Sequence, residues 1–196
     1  MSKTRGGRGN RKRLGGGVAL WGRCTKVALI ALCFSLLSCL SVPPGITAIE
    51  NFNAQRYLGS WYEIARLDHS FERGLKDVKA HYSWREDGGI KVVNSGMDTA
   101  TGEQSHAHGK AYFVGARDVG HLKVSFFGPF YGSYVIFALD SEYQHAFVTS
   151  NTREYLWLLS RTPTPSQQLV EQFIERANAL GFDTASLIWV AHSPSK

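Results

Sequence analysis

Between residues 59 and 161 apolar and polar positions alternate in eight short runs, at about 59–69, 77–86, 90–97, 106–115, 120–127, 133–139, 144–150 and 155–161. A period of two marks a strand with one face inward and one outward. The connections are short and rich in Gly, Asp, Asn and Pro, and Gly88-Gly89 is the clearest hairpin. Eight antiparallel strands with no helix between them predict an all-β fold, an eight-stranded up-and-down antiparallel barrel. After the eighth run the period changes. Leu169, Phe173, Ala177 and Leu180 form a helical stripe, with Val170 and Ile174 beside it. Thr164 as cap, Pro165 at the first position and Gln167 in a capping box predict the helix start, and Gly181 its end. This C-terminal α-helix packs outside the barrel, and Leu187-Ile188-Trp189-Val190 predicts a short ninth strand on an edge.

In an up-and-down barrel, successive loops alternate between the two ends. If Trp61 opens the first strand at one end, the loops 87–89, 116–119 and 140–143 share that end with it, and so does the end of the last strand. Asp140 and Arg161 therefore belong beside Trp61. Arg161 can lie over the indole as a cation–π lid, an interaction of about 0.5–2 kcal/mol. The remaining loops, 70–76, 98–105, 128–132 and 151–154, lie at the opposite end, the mouth. They carry Phe71, Leu75, Phe130 and Tyr131. Aromatic side chains at a loop tip mark contact with a ligand, a membrane or a partner.

Charged residues on alternate positions separate outside from inside. Lys79, His81 and Arg85 point outward, which turns Ala80, Tyr82 and Trp84 inward. Lys110 outward turns Ala111 and Phe113 inward. Lys123 and Ser125 outward turn Leu122, Val124 and Phe126 inward. Trp157 and Tyr155 share the inward parity of Arg161. Strand 133–139 is apolar on both faces, so parity does not orient it. The ligand-lining set is then Tyr82, Trp84, Phe113, Val124, Phe126 and Trp157, a mixture of small and aromatic residues with almost no charge. A barrel of this size either fills itself or holds one small ligand. The small inward residues argue for a cavity that suits an acyl chain.

The formal charge of +6 resides in the first 38 residues, which carry eight Lys or Arg and no acid; residues 39–196 hold 14 basic and 16 acidic residues. This distribution excludes a nucleic-acid surface and fits a targeting leader. The apolar run Val27–Leu37 has the length of a signal h-region, short of the roughly 20 residues of a spanning helix. Leu36-Leu37-Ser38-Cys39 resembles the lipobox of bacterial lipoproteins, in which the cysteine becomes the acylated N-terminus. On that resemblance residues 1–38 form a signal peptide, Cys39 is the lipidation site and 39–49 are a lipidated N-terminus and extended tether. Leu40 follows in place of the Asp that retains lipoproteins at the inner membrane, which points to the outer membrane. The remaining cysteines, Cys24 and Cys33, precede the cleavage site, so the mature chain has no internal disulfide.

The stretch Asn53-Ala54-Gln55-Arg56-Tyr57-Leu58-Gly59-Ser60-Trp61-Tyr62-Glu63-Ile64-Ala65-Arg66 resembles the first conserved motif of lipocalins. Its continuation through Phe71-Glu72-Arg73-Gly74-Leu75 is similar to the outer-membrane lipocalins of bacteria. Leu158-Leu159-Ser160-Arg161 matches the late arginine motif, and Leu139-Asp140-Ser141-Glu142-Tyr143 is a degraded match to the middle one. The resemblance spans about residues 50–192, leaving 193–196 as a tail. It implies a lipocalin barrel with Gly59, Trp61, Asp140 and Arg161 at its closed end. It also implies a fatty acid or lysophospholipid as ligand, in storage, transport, membrane biogenesis or repair, and the periplasmic face of the outer membrane as location. Some members form homodimers, and the sequence leaves that open.

No signature of catalysis stands out. His106-x-His108 places two rings on one strand face without the spacing of a third ligand, so no metal site and no cofactor are implied. Glu63 shares the parity of Trp61, which places it inside near Arg161 as a structural ion pair. The chain reads as a binding protein. The alternative, a lipocalin-fold enzyme acting on a bound lipid or pigment, calls for a polar, titratable cluster inside the barrel.

Overall fold

The computed structural model describes residues 40–193, so the signal segment, Cys39 and the last three residues lie outside the described residues. A short helix α1 (Ala54–Tyr57) precedes strands β1 (Gly59–Arg66), β2 (Leu75–Trp84), β3 (Ile90–Asp98), β4 (Gln104–Phe113), β5 (His121–Ser125), β6 (Gly132–Leu139), β7 (His145–Thr149) and β8 (Leu156–Ser160). Helix α2 (Gln167–Ala179), a 3₁₀ turn and β9 (Ile188–Trp189) follow. Each strand from β2 to β8 pairs antiparallel with the next, and β1 pairs with both β2 and β8, which closes the eight-stranded barrel.

The helix start differs from its prediction. Ser166, not Thr164, is the N-cap, and its side chain accepts from the Leu169 amide. Ser166 carries the extended backbone a cap requires, which leaves Pro165 outside the helix. Leu169, Phe173 and Ala177 are the buried stripe of α2. They pack with Phe137, Phe147, Leu156 and Leu158 in a second core outside the barrel. Phe147 and Phe173 meet edge to face, 5.0 Å apart. This orients the strand that parity left open: Tyr134 and Ile136 join the barrel core, while Phe137 faces α2. A β-bulge between Ile136 and Ala138 puts Ala138 on the outer side with Phe137 and returns Leu139 to the barrel core.

The segment expected as an extended tether is packed against the domain. Pro43 and Ile46 are buried, the Ile49 amide donates to the Ile136 carbonyl at 2.9 Å, and the Gly120 amide donates to Ile49 at 2.9 Å. Arg153 holds the Pro44 carbonyl. The Pro-Gly composition that reads as a linker here serves a turn, with the Ile46 amide bonded to Pro43.

Trp61, Asp140 and Arg161 gather at one end. The Arg161 guanidinium lies 3.8 Å above the Trp61 ring. Its nitrogens donate to the carbonyls of Arg56, Tyr57, Leu58, Ser60 and Tyr143. Trp61 is fully buried and its indole N–H donates to the Tyr57 carbonyl at 2.8 Å. Asp140 closes the β6–β7 turn, accepting from the amides of Glu142, Gln144 and His145. Gly59 has φ +94°, a conformation that strains any side chain, and a Cβ there would sit 3.4 Å from Arg161 Nη1.

Replacing Arg161 with Met removes the cation and leaves several carbonyls without their donor. The expected cost is about 3 kcal/mol, a fall in melting temperature on the order of 6–12 °C. Thermal unfolding of the variant checks this, and a loss below about 1 kcal/mol would show the closed end to be held by other contacts.

Candidate functional site: a one-mouthed cavity

A cavity of about 550 Å³ runs from Phe52 and Tyr57 to Phe71, Phe127 and Phe130. Its size falls in the range of small-molecule sites. Tyr57 rests on Trp61 with ring centroids 4.8 Å apart, and Phe52 packs edge-on against Tyr57 at 5.3 Å. These two rings make the floor. The walls are largely apolar, with Val78, Ile90, Val92, Leu122, Val148 and Leu159 among them. Small residues widen it. Gly109 is required by its neighbour, since a Cβ there would meet the Phe126 ring at 2.9 Å.

Of the residues that parity turned inward, Tyr82, Val124, Phe126 and Trp157 border this cavity. Trp84 and Phe113 do not. Both end their strands at the closed end, past the floor, so inward parity there no longer faces the lumen. Trp84 is 42% exposed, and its indole N–H donates to Gln55 Oε1 at 2.7 Å. Phe113 packs under Phe52 at 6.4 Å, with Arg117 over its outer face. Ser125 is buried and borders the cavity, against its outward assignment. Strand β5 ends at this residue.

The mouth carries Phe71, Leu75, Phe130 and Tyr131, all bordering the cavity. Phe130 is 77% exposed, and Phe127, which the strand pattern left inside β5, is 80% exposed. The strand stops at Ser125, two residues earlier than its alternation suggests, and this releases Phe127 into the loop. The Tyr131 ring bends to the outer face, 5.2 Å from Lys123 Nζ and 6.4 Å from the Tyr112 ring.

The expectation of an almost uncharged lumen does not hold. Glu63 and Glu72 both border the cavity, and Arg66, His69, Glu63 and Glu72 are all at least 94% buried. Glu63 pairs with Arg66, not Arg161: Arg66 Nη1 donates to Glu63 Oε1 at 2.7 Å. Arg66 Nη2 donates to the Glu72 carbonyl at 2.7 Å. His69 Nε2 lies 3.0 Å from Glu72 Oε2, and the Trp157 indole N–H reaches the same oxygen at 3.3 Å. The cause is a bulge in β1 between Glu63 and Ala65. Strict alternation puts residues 63 and 66 on opposite faces, and one extra residue puts both inside. No residue type in the sequence announces that bulge.

Burial, reinforced by the Glu72 carboxylate, raises the Glu63 pKa well above the ordinary carboxylate value, despite Arg66. Glu72 moves the other way. Against the cost of its own burial, His69 and a hydrogen bond from Glu63 hold it below that value. The two carboxyls are thus shifted in opposite directions. His106 and His108 are exposed on β4, and among the described residues no His, Cys, Asp and Glu group has the arrangement of a metal site.

A family model described as a lipocalin-like domain matches residues 52–192. The chain is 53% identical over 167 residues to the outer membrane lipoprotein Blc of Vibrio cholerae, covering 84% of this chain and 98% of that protein. It is 51% identical over 166 residues to Blc of Escherichia coli strain K12, covering 84% and 94%. Among solved structures, insecticyanin of the tobacco hornworm Manduca sexta shares the fold, with a TM-score of 0.62 at 19% identity, covering 78% of this chain and 87% of that one.

The raised pKa of Glu63 has a measurable consequence. A carboxyl whose folded pKa is raised contributes stability at low pH and loses it as pH rises from the ordinary value toward the raised one. Glu63→Gln cannot ionise and lacks this loss. Urea unfolding of both proteins at a series of pH values is expected to show the variant gaining on the wild type as pH rises above about 4.5. A difference that stays flat or falls would place the proton elsewhere.

Proposed function

Because the chain belongs to the lipocalin family, we propose that it is an outer-membrane lipoprotein that takes a fatty acid or lysophospholipid into its barrel and stores or carries it. The observation that carries this is the cavity itself: about 550 Å³, floored at one end, open at the other and walled mainly by apolar side chains. An acyl chain entering past Phe71, Phe127 and Phe130 leaves its headgroup at the mouth, near water and near the Glu72–His69 pair. Each buried CH₂ contributes about 0.8 kcal/mol. Apolar walls discriminate chain lengths weakly, so the ligand is a class and not one molecule.

Attachment through an acylated Cys39 at the periplasmic face of the outer membrane is the second part of the proposal. The lipobox supports it, as do the names of the Vibrio cholerae and Escherichia coli relatives. The described chain begins at Leu40 already folded onto the barrel, so such an anchor would hold the domain close to the bilayer. A role in membrane biogenesis or repair, and assembly as a homodimer, belong to the same reading.

The enzyme alternative gains one observation, the buried acid–base cluster of Glu63, Arg66, His69 and Glu72. Most of its polar atoms engage within the wall: Arg66 donates to Glu63 and the Glu72 carbonyl, Trp157 donates to Glu72, and His69 Nε2 lies 3.0 Å from Glu72 without the geometry of a hydrogen bond. Such mutual engagement suits a polar wall better than a group free to move a proton to substrate. Recovery of a bound lysophospholipid unchanged after long incubation fits binding, and release of a free fatty acid would favour the enzyme.

Delipidated protein is expected to bind a fluorescent fatty acid saturably, with displacement by lysophospholipid. No saturable signal would sink the proposal. In cells, Cys39→Ser is expected to leave the outer-membrane fraction and to lose labelling by radioactive palmitate. Retention of both would show that the anchor lies elsewhere.

A further inference from the structure

Three phenol hydroxyls meet in the deep half of the cavity. Tyr134 Oη lies 2.7 Å from Tyr57 Oη and 3.0 Å from Tyr82 Oη, and all three side chains border the cavity. They arrive from α1, β2 and β6. The Tyr57 ring sits on Trp61 and stacks on Tyr82 at 5.5 Å, which places the trio on the floor side.

Counting protons shows an imbalance. Burial raises the pKa of each phenol, so all three keep their O–H. Two oxygen–oxygen contacts use two protons. Among the described residues no further hydrogen bond to these oxygens is found, so one O–H is left without a protein acceptor at the cavity wall, whichever way the chain of donors runs. A purely apolar chain end seated there would cover that donor, and a buried donor without an acceptor costs about 1–3 kcal/mol. A floor meant only for a methyl terminus would carry Phe at these positions, as it does at Phe52.

We infer that the cavity takes an amphiphile oxygenated at both ends, whose inner terminus carries a hydroxyl or carbonyl oxygen that accepts the spare phenol proton. This rests on the lipid-binding reading and narrows its ligand class: the headgroup stays at the mouth and a second, uncharged oxygen function sits at the floor. An uncharged acceptor suits the site because a single hydrogen bond does not offset the burial of a carboxylate.

The test compares saturated fatty acids from lauric to stearic with their ω-hydroxy and (ω−1)-oxo derivatives, by displacement of a fluorescent fatty acid from delipidated protein. At the chain length that spans the cavity, both oxygenated forms are expected to bind about tenfold tighter than the parent acid. The oxo acid has no proton to donate at that end, so its gain identifies the protein as donor. Tyr82→Phe leaves two hydroxyls and one contact, hence one spare proton, and is expected to keep the gain. The combined Tyr57→Phe, Tyr82→Phe and Tyr134→Phe variant is expected to lose it, so that the oxygenated acids bind no tighter than the parent acid. Equal affinities at every chain length in the wild type would overturn the inference, as would a gain that survives the triple change. The wild-type comparison decides even if the triple variant does not fold. Absence of binding by every acid would overturn the lipid-binding reading itself, and is distinct from equal binding by all.

Discussion

The Arg161 guanidinium is the contact on which the barrel's asymmetry depends. It lies flat on Trp61 and gathers carbonyls from α1, from the start of β1 and from the β6–β7 loop. Three separate segments are thereby tied at one end by a group that is always charged and always a donor. With Trp61 pinned, Tyr57 and Phe52 are set above it as a floor. The cavity then has one exit, and whatever it holds must enter and leave past the same aromatic loop.

The opposite half of β1 is organised by a different device. From Gly59 to Tyr62 the strand pairs with β2, and then the two part. The C-terminal segment fills the gap: β9 pairs with Ala65 and Arg66, the Val190 amide donates to Ile64, and Asp77 receives both the amide and hydroxyl of Ser193. His192 Nε2 lies 2.8 Å from the Glu63 carbonyl. Glu63 is therefore braced from outside by the last described residues. The bulge that turns Glu63 and Arg66 inward together stands where this bracing begins. Polar function inside the barrel and strand separation at its wall have one origin.

The cavity is accordingly graded. Toward the mouth and middle one wall carries the polar cluster of Glu63, Arg66, Glu72 and His69, and at the floor it carries hydroxyls. Between them and opposite, the surface is aliphatic. A low-dielectric lumen strengthens each of these polar contacts and makes any unmatched one costly. Placement of a few oxygens and nitrogens, more than total apolar area, is what can distinguish one long-chain ligand from another.

Much of this was legible in the residues. Alternation sets which side chains share a face, loop count sets which share an end, and those two rules were enough to bring Trp61, Asp140 and Arg161 together and to put Phe130 opposite them. The Gly-x-Trp stretch and its continuation named the family. What alternation cannot supply is any place where it breaks. The bulges at Ile64 and Phe137, the early end of β5 and the depth of the floor each displaced particular residues: Arg66 inward, Ala138 outward, Phe127 into the mouth loop, Trp84 and Phe113 below the lumen. Bulges and strand ends are settled by which hydrogen bonds the neighbouring strands leave unpaired, a property of the assembled sheet. The tyrosine trio belongs to the same class, since Tyr57, Tyr82 and Tyr134 are distant in sequence and only closure of the barrel brings their hydroxyls within hydrogen-bonding reach.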